Sequence, residues 1–546
     1  MLLKRIVAAV SAIILTASCA AGCETVEDTP EQPVASPPDA TEEAPVYTPA
    51  AVTDGRFTLK YDPDSTLNPM TGTDADNMLV ASLMYEGLFA LDEGFSPVPV
   101  LCESYATEDA LTYVFTIKQD VAMGDGTYLT ADDVAYSLDL ARSLPKFAGR
   151  LDNIDGVAAD DSDDNDNGSV EVRLKRADGN LPALLDIPII KSGGAERFAP
   201  AGSGPYVYTE RNGEPLLAAL QRHADSSRLP FRDIYLAECA GSELVELFTD
   251  GKIDLYRTDP TGLESIETHW DHEIRYYNTT TLQYLGFSKR QPILSVPEMR
   301  QAIGLCADRE GIVGDVMSGA ALPAPLLLSP AYGIYDSGWE GPTSDAFLEI
   351  SSIFSRLGLS DYDSDLFLEY PMFGGGYAAF SLDFIVNSEN QRKAEAARSI
   401  CDTITRMGID ARLRVLPWDE FAAALEEGDF DIYYGETSIP ANFDVSELLL
   451  SGGKLDYGGA GSQEYAAFID SFLASGSEAQ RAAAARRLCD QVRSDAIVVP
   501  ILYKQYTIHS GRNIISGMRP TQTSVFFGMT DWSVGEIFFT GGAYEQ

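Results

Sequence analysis

Apolar positions change period several times along the chain, and each change marks an element. Phe57 to Tyr61 alternates like a short strand, turn chemistry follows in Asp62-Pro63-Asp64 and Asn68-Pro69, and Met78, Leu79, Leu83, Met84 and Leu88 recur at helical spacing. Tyr113 to Lys118 alternates like a half-buried strand, and Asp125-Gly126 turns the chain. Thr130 is placed to cap a helix with Asp132 and Asp133 in its first turn and Val134, Leu138 and Ala141 on one face. Strands flank the polar run 160–168, Leu282 to Phe287 reads as an apolar strand, and Met299 to Met317 has the pattern of one long amphipathic helix.

The clearest unit lies further on. It runs strand Leu382–Val386, helix Lys393–Met407 stopped by Gly408, strand Ala411–Val415, helix Glu420–Glu427 stopped by Gly428, and strand Phe430–Tyr434. This alternation predicts a mostly sequential, open α/β sheet with helices on its faces. Ligands of such sheets sit beyond the carboxyl ends of the strands, which directs attention to the loop after Tyr434. There Tyr433, Tyr434, Phe443 and Tyr457 surround Gly435, Glu436 and Asn442. Single rings mostly pack cores. As a group with a carboxylate they suit a small cationic or amphipathic solute, the rings covering its apolar part and Glu436 pairing with an ammonium.

The first residues read differently. Lys4 and Arg5, an apolar stretch from Ile6 to Ala17 and the small residues after it have the layout of an export signal, residues 1–22. Cys19 and Cys23 both resemble a lipid-acceptor cysteine, and Gly22 favours Cys23. From there to residue 52 the chain carries acidic residues from Glu24 to Glu43, prolines from Pro30 to Pro49 and no basic residue, so it is expected to be a disordered tether.

Length and charge narrow the rest. A chain of 546 residues exceeds what one core organises, so two or three lobes are expected. The 83 acidic against 39 basic side chains give a formal charge of −44, a field that repels phosphate backbones and excludes nucleic acid as a natural partner. After the first twenty residues no apolar run is long enough to predict a spanning helix. Cys102, Cys239, Cys306, Cys401 and Cys489 are far apart with no C-x-x-C spacing, and read as buried inert thiols.

Motifs for chemistry are weak. Asp163, Asn165, Asn167 and Gly168 match the first half of a calcium loop, but Leu174 stands where the bidentate Glu belongs, and a polar hairpin turn is the better reading. His269 and His272, beside Glu267 and Asp271, lack further ligands and read as solvated groups. No G-x-S-x-G elbow exists, and neither Gly251-Lys252 nor Gly453-Lys454 continues as a phosphate loop. No catalytic residue, metal or cofactor is therefore expected.

Four strings carry a resemblance. LNPMTGTDADNMLVASLMYEGLF (67–89), FTIKQDVAMGDGTYLTADDVAYSLDLAR (115–142), GSGPY (202–206) and EMRQAIGLCADREGIV (298–313) resemble, in family order, signatures of the family 5 solute-binding proteins, extracytoplasmic receptors of ABC importers for peptides, nickel complexes and related solutes. The likeness implies a two-lobed α/β clamp of the periplasmic-binding-protein kind, class II-like, with open mixed sheets bearing helices on both faces and a small extra α+β domain. It implies lobe 1 from residues 53–90, 196–286 and 496–546, the extra domain from 91–195 and lobe 2 from 287–495, with crossings at Gln283–Phe287 and around Val498–Pro500. Asn68 and Met70 in the first string join the candidate ligand residues. The partners implied are a small solute, permease subunits with their ATPases, and the membrane through the lipid anchor alone, the receptor itself acting as a monomer.

One departure bears on the ligand. Peptide-binding members commonly carry a W-x-x-D-Y-x-D-P-like stretch whose Asp meets the peptide amino terminus, whereas this chain reads YYGETSIPANFDVSEL, with Glu436 in place of that Asp and Val445 after Asp444. A peptide or another amine-bearing solute is the expectation. A peptide-sensing signalling receptor and an extracellular hydrolase on the same scaffold are the alternatives, the hydrolase lacking any catalytic constellation.

Overall fold

The computed structural model describes residues 56–160, 168–262, 272–341, 345–372 and 374–535. The expected export signal, Cys23 and the tether lie outside these residues, as do Asp163, Asn165, Asn167, Glu267, His269 and Asp271.

Among the described residues an eleven-stranded mixed sheet runs through both lobes. Its order is 410–416, 381–387, 432–438, 273–287, 498–510, 255–258, 58–61, 233–238, 214–219 and 206–211, with 321–323 paired beside 498–510. One apolar core, including Leu59, Leu255 and Ile508, underlies the end formed by the early strands and continues into a four-stranded antiparallel sheet of 102–106, 112–117, 169–174 and 154–160. Helix Ala131–Ser143 packs on that small sheet, and its start is the expected one: Thr130 and Asp133 cap each other's main-chain N–H groups. The other end of the large sheet has a core on each face. This is the two-lobed α/β clamp with a small α+β domain.

The late β-α-β-α-β unit forms as strands Ser381–Asn387, Asp410–Leu416 and Ile432–Ser438 with helices Gln391–Arg406 and Trp418–Glu427 between them, all three strands parallel. Gly408 and Gly428 take left-handed φ values of 91° and 69°, so each stops its helix at no side-chain cost. The strands are not sequential, however. The chain steps outward from 381–387 to the edge strand 410–416 and returns past it to 432–438. Right-handed crossovers in opposite directions place the two helices on opposite faces. Ala397, Ile400 and Ile404 accordingly enter one core, while Phe421, Ala424 and Leu425 enter the other.

Two expected helices are shorter than their patterns. The first ends with Ala81, because Met84 and Leu83 are needed as main-chain acceptors for Gly204 and Tyr206 at 3.0 and 3.2 Å. The stretch Met299–Met317 breaks after Leu305. Asp308 caps a new turn through Gly311 N–H at 3.0 Å, and Arg309 turns inward to donate to the carbonyls of Ala324 and Pro500 at 3.0 and 2.9 Å. A buried guanidinium in need of acceptors outweighs helical continuity here. The five cysteines of the described residues are free and buried.

Candidate functional site

Two long antiparallel strands, Glu273–Phe287 and Val498–Ser510, pass from one lobe to the other. Their register shifts between Asn278 and Leu282, and their outer partners change at the same place. Below it Thr507–Ser510 also meets strand Leu255–Thr258, and above it Thr281–Phe287 meets Ile432–Ser438. The partners of the two strands thus change at Thr279–Thr281 and Lys504.

A polar cluster fills this junction. The Lys504 ammonium pairs with Asp259 and lies 3.8 Å from Glu436 Oε1. Glu436 Oε2 accepts from Gln283 Nε2 at 2.7 Å, and Gln283 Oε1 accepts from the Tyr434 hydroxyl at 2.9 Å. Burial disfavours the Lys504 charge, yet Glu436 and Asp259 outweigh it and hold its pKa above the ordinary lysine value. Helix Gln391–Arg406 points its first turn at the same place, and its capping Asn390 donates to Thr261 O at 2.8 Å. At the lobe 1 end of the crossing strands His272 Nε2 and His509 Nδ1 lie 2.8 Å apart, with Thr507 on the far nitrogen of His509. Burial, then the neighbouring His272, pushes the His509 pKa down to about 4.

Just past strand 169–174 of the small sheet, residues 176–179 meet residues 442–481 along a seam of separate segments. Arg176 pairs with Asp444 and donates to Ser446 Oγ at 3.0 Å. Asn442 Nδ2 donates to Asp178 at 2.7 Å, Gly179 N–H to Leu473 O at 2.7 Å, and Arg481 to Gly179 O at 3.0 Å. Burial raises the Asp178 pKa against the bonds from Asn442 and the Asn180 N–H.

The sequence candidates divide. Glu436 stands at the lobe junction, within strand Ile432–Ser438 rather than in a loop beyond it, with 26% of its side chain exposed. The four rings do not form one cage around it. Successive strand residues face opposite ways, so Tyr434 is buried in one lobe 2 core and Tyr433 in the other. The Tyr433 hydroxyl donates to Leu455 O at 3.1 Å, and half-exposed Tyr457 rests its ring against that of Tyr433 at 5.9 Å. Phe443 is buried, stacked on Tyr332 at 4.2 Å. Gly435 is needed for packing: a Cβ there would meet the Tyr284 ring at 2.6 Å, as one on Gly286 would meet the Tyr433 ring at 2.1 Å. Asn442 belongs to the seam. Asn68 and Met70 are interior, Asn68 clipping the carbonyls of Gly194, Ala195 and Arg197 and accepting from Met70 N–H.

Lys504, Asp259, Gln283 and Lys393 at the junction, and Arg176, Asp178 and Arg481 at the seam, were not anticipated. They come from distant segments and share no local spacing. Cavities of about 660 Å³ in lobe 1 and about 700 Å³ in lobe 2 contain none of the candidate residues. Asp361, Asp363, Asp365 and Glu369 bring carboxylate oxygens within 4.8 Å of one another. Asp361 already accepts the N–H groups of Ser364, Asp365 and Leu366, and Glu369 that of Tyr362, so the group serves to build its own turn. Among the described residues no helix is long and apolar enough to cross a membrane.

Comparison with known proteins gives a consistent outcome. Residues 96–454 match the bacterial extracellular solute-binding proteins, family 5 Middle. The oligopeptide-binding protein AppA of Bacillus subtilis is 22% identical over 386 residues, 67% of this chain and 69% of that protein. Its structure with a nonapeptide superposes with a TM-score of 0.59 at 19% identity, covering 88% of this chain and 99% of that one. The glutathione-binding protein GsiB of Salmonella typhi is 24% identical over 49% of this chain, which spans about half (54%) of that relative's length. The unliganded open form of MppA, a periplasmic murein tripeptide binding protein, superposes with a TM-score of 0.70 at 16% identity, over 86% of this chain and 96% of that one.

Proposed function

The chain belongs to the bacterial extracellular solute-binding proteins of family 5, and from that premise we propose that it is the lipid-anchored receptor of an ABC importer, closing on a peptide or another amine-bearing solute between its lobes. The observation that carries this reading is the junction itself. Among the described residues two long strands carry the large sheet across it, their register breaks at Thr279–Thr281, and a carboxylate with a quarter of its side chain open stands beside the break. Rotation of main-chain angles at such a point opens and shuts a cleft without disturbing either core. Glu436 is the group assigned to the solute's ammonium. Oligopeptides and glutathione in the names of the relatives support a peptide-type solute.

The receptor binds its solute without transforming it, works as a monomer, and hands the solute to permease subunits driven by their ATPases. Lipid on Cys23 holds it at the extracytoplasmic face of the membrane, and Cys23→Ser releases it into the soluble fraction. Retention of that variant, with lipid mapped to Cys19, would move the anchor.

Calorimetry with short peptides tests the ligand reading. Glu436→Gln should weaken binding by ~2 to 5 kcal/mol, the usual loss when a buried ligand charge is left unpaired. The empty variant should melt close to the unaltered protein, because Asp259 still pairs with Lys504. Unchanged affinity across the peptides would remove Glu436 from the site.

A further inference from the structure

Arg309 carries its charge without a counter-ion. Its Nε donates to Ala324 O and Pro500 O at 3.0 and 2.9 Å, and its Nη1 reaches only the carbonyls of Gly304 and Ala307, both at 3.5 Å. Among the described residues no carboxylate comes within ion-pair distance of it, and Nη2 has no partner. Main-chain carbonyls satisfy donors but leave the charge uncancelled, and burial pushes the guanidinium pKa down to about 10. Solvent nevertheless reaches Nη2, since it is not among the buried atoms that lack a partner.

Arg309 lines the cavity of about 700 Å³ between helices Pro297–Leu305 and Glu478–Asp495. Leu326, Leu327, Trp339 and Val499 give it apolar walls. Its other charged groups are Glu349, Asp490, Arg486 and Arg493, and Asp490 is divided between the two arginines. The lining therefore holds one more guanidinium than carboxylates, in a chain whose formal charge is −44. Pro500 on its wall stands four residues along the strand from Lys504, roughly 13 Å at about 3.3 Å per residue, so the cavity is separate from the lobe junction.

We infer that this cavity binds a small carboxylate carried on an apolar body, its head at Arg309 and its body against Trp339 and the leucines. The volume suits a small molecule, and apolar walls with a few placed polar groups are what such sites use. An acid cancels the charge that carbonyls leave standing, and a neutral molecule of the same shape does not. The inference stands apart from the solute held between the lobes.

The test is calorimetry with octanoate and N-acetylleucine, each against its neutral counterpart, octanol and N-acetylleucine amide. At least one acid should bind about tenfold tighter than its counterpart, the usual gain of a hydrogen bond to a charged group. The tighter of the two acids tells a fatty acid from an acylated amino acid as the source of the carboxylate. Arg309→Gln should level acid and neutral molecule. Because Arg309 also braces Ala324 and Pro500, a second variant locates the site without touching it. Trp339 is one of four tryptophans, so the bound acid should change the tryptophan fluorescence of the unaltered protein and not that of Trp339→Phe. If Arg309→Gln fails to fold, the acid preference and the Trp339 signal decide together. Neither acid bound more tightly than its counterpart, a preference that survives in folded Arg309→Gln, or a fluorescence change that survives in Trp339→Phe overturns the site.

Discussion

The end of the large sheet that carries residues 381–438 is tied to the rest of the molecule twice, once through the sheet and once through the small domain, and by different physics. At the crossing strands the connection is covalent and the polar groups travel with the strands that carry them. At the seam Arg176, Asp178 and Gly179 face Asn442, Asp444 and Leu473 with no main chain running between them. The first contact can bend and the second can part. A clamp needs both, a hinge that survives opening and a contact that forms on closure, so the two regions should respond differently to the same perturbation.

pH separates them most widely. His509 is held neutral, its pKa lowered from the unfolded range near 6.5 to about 4. It therefore adds stability above pH ~6.5 that is lost as pH falls toward 4, by up to about 3 kcal/mol. Asp178 has the opposite sign. Its pKa is raised by burial, so its contribution is best when protonated and is lost as pH rises from the ordinary carboxylate range through the raised value. Melting curves against pH should show the unaltered protein falling below His509→Gln on the acid side, and below Asp178→Asn toward neutral pH. Parallel curves for all three proteins would mean that neither group is held as described.

Two glycines sharpen the contrast at about 1 to 3 kcal/mol each, the usual cost of overpacking. A Cβ on Gly179 would meet Ser475 O at 2.2 Å, main chain across the seam, whereas a Cβ on Gly435 would meet the Tyr284 ring beside it in the large sheet. Gly179→Ala should push the seam apart and raise the radius of gyration in solution scattering. Gly435→Ala should lower the melting temperature and leave the scattering unchanged. Identical scattering for both variants would show that the seam has no part in closure.

How much of this was legible in the sequence follows the range of the interactions. The β-α-β-α-β unit was readable because its signals are local, helical spacing followed by Gly408 and Gly428. Strand order was not, since nothing local states that 410–416 goes to the edge. Met299–Met317 looked continuous because Arg309 finds its acceptors at Ala324 and Pro500, one of them far along the chain. At the site, Glu436 could be placed beside the lobe boundary. Its neighbours Asp259 and Lys504 could not, being brought together by pairing of strands from three separate segments. The ring cage failed on a signal that was present: Tyr433 and Tyr434 are adjacent in a strand, and adjacent strand residues face apart. Asn68 and Met70 came from the family likeness alone, and they build a turn rather than a cleft.

The seam's most visible contact should be its least important. Arg176 and Asp444 pair closely, yet their side chains remain 32% and 22% exposed, and Asp470 stands 3.6 Å from the same guanidinium. Water competes for both charges, and exposed pairs of this kind contribute ~0.2 to 1 kcal/mol, less as salt rises. Arg176→Gln can still reach Ser446, so it should cost no more than that, and the loss should shrink between low salt and about 1 M, where screening acts within ~3 Å. The Gly179→Ala loss should not respond to salt, because steric overlap is not screened. If Arg176→Gln instead destabilised the protein as much as Gly179→Ala, the seam would be held by charge rather than by the fit of main chain to main chain.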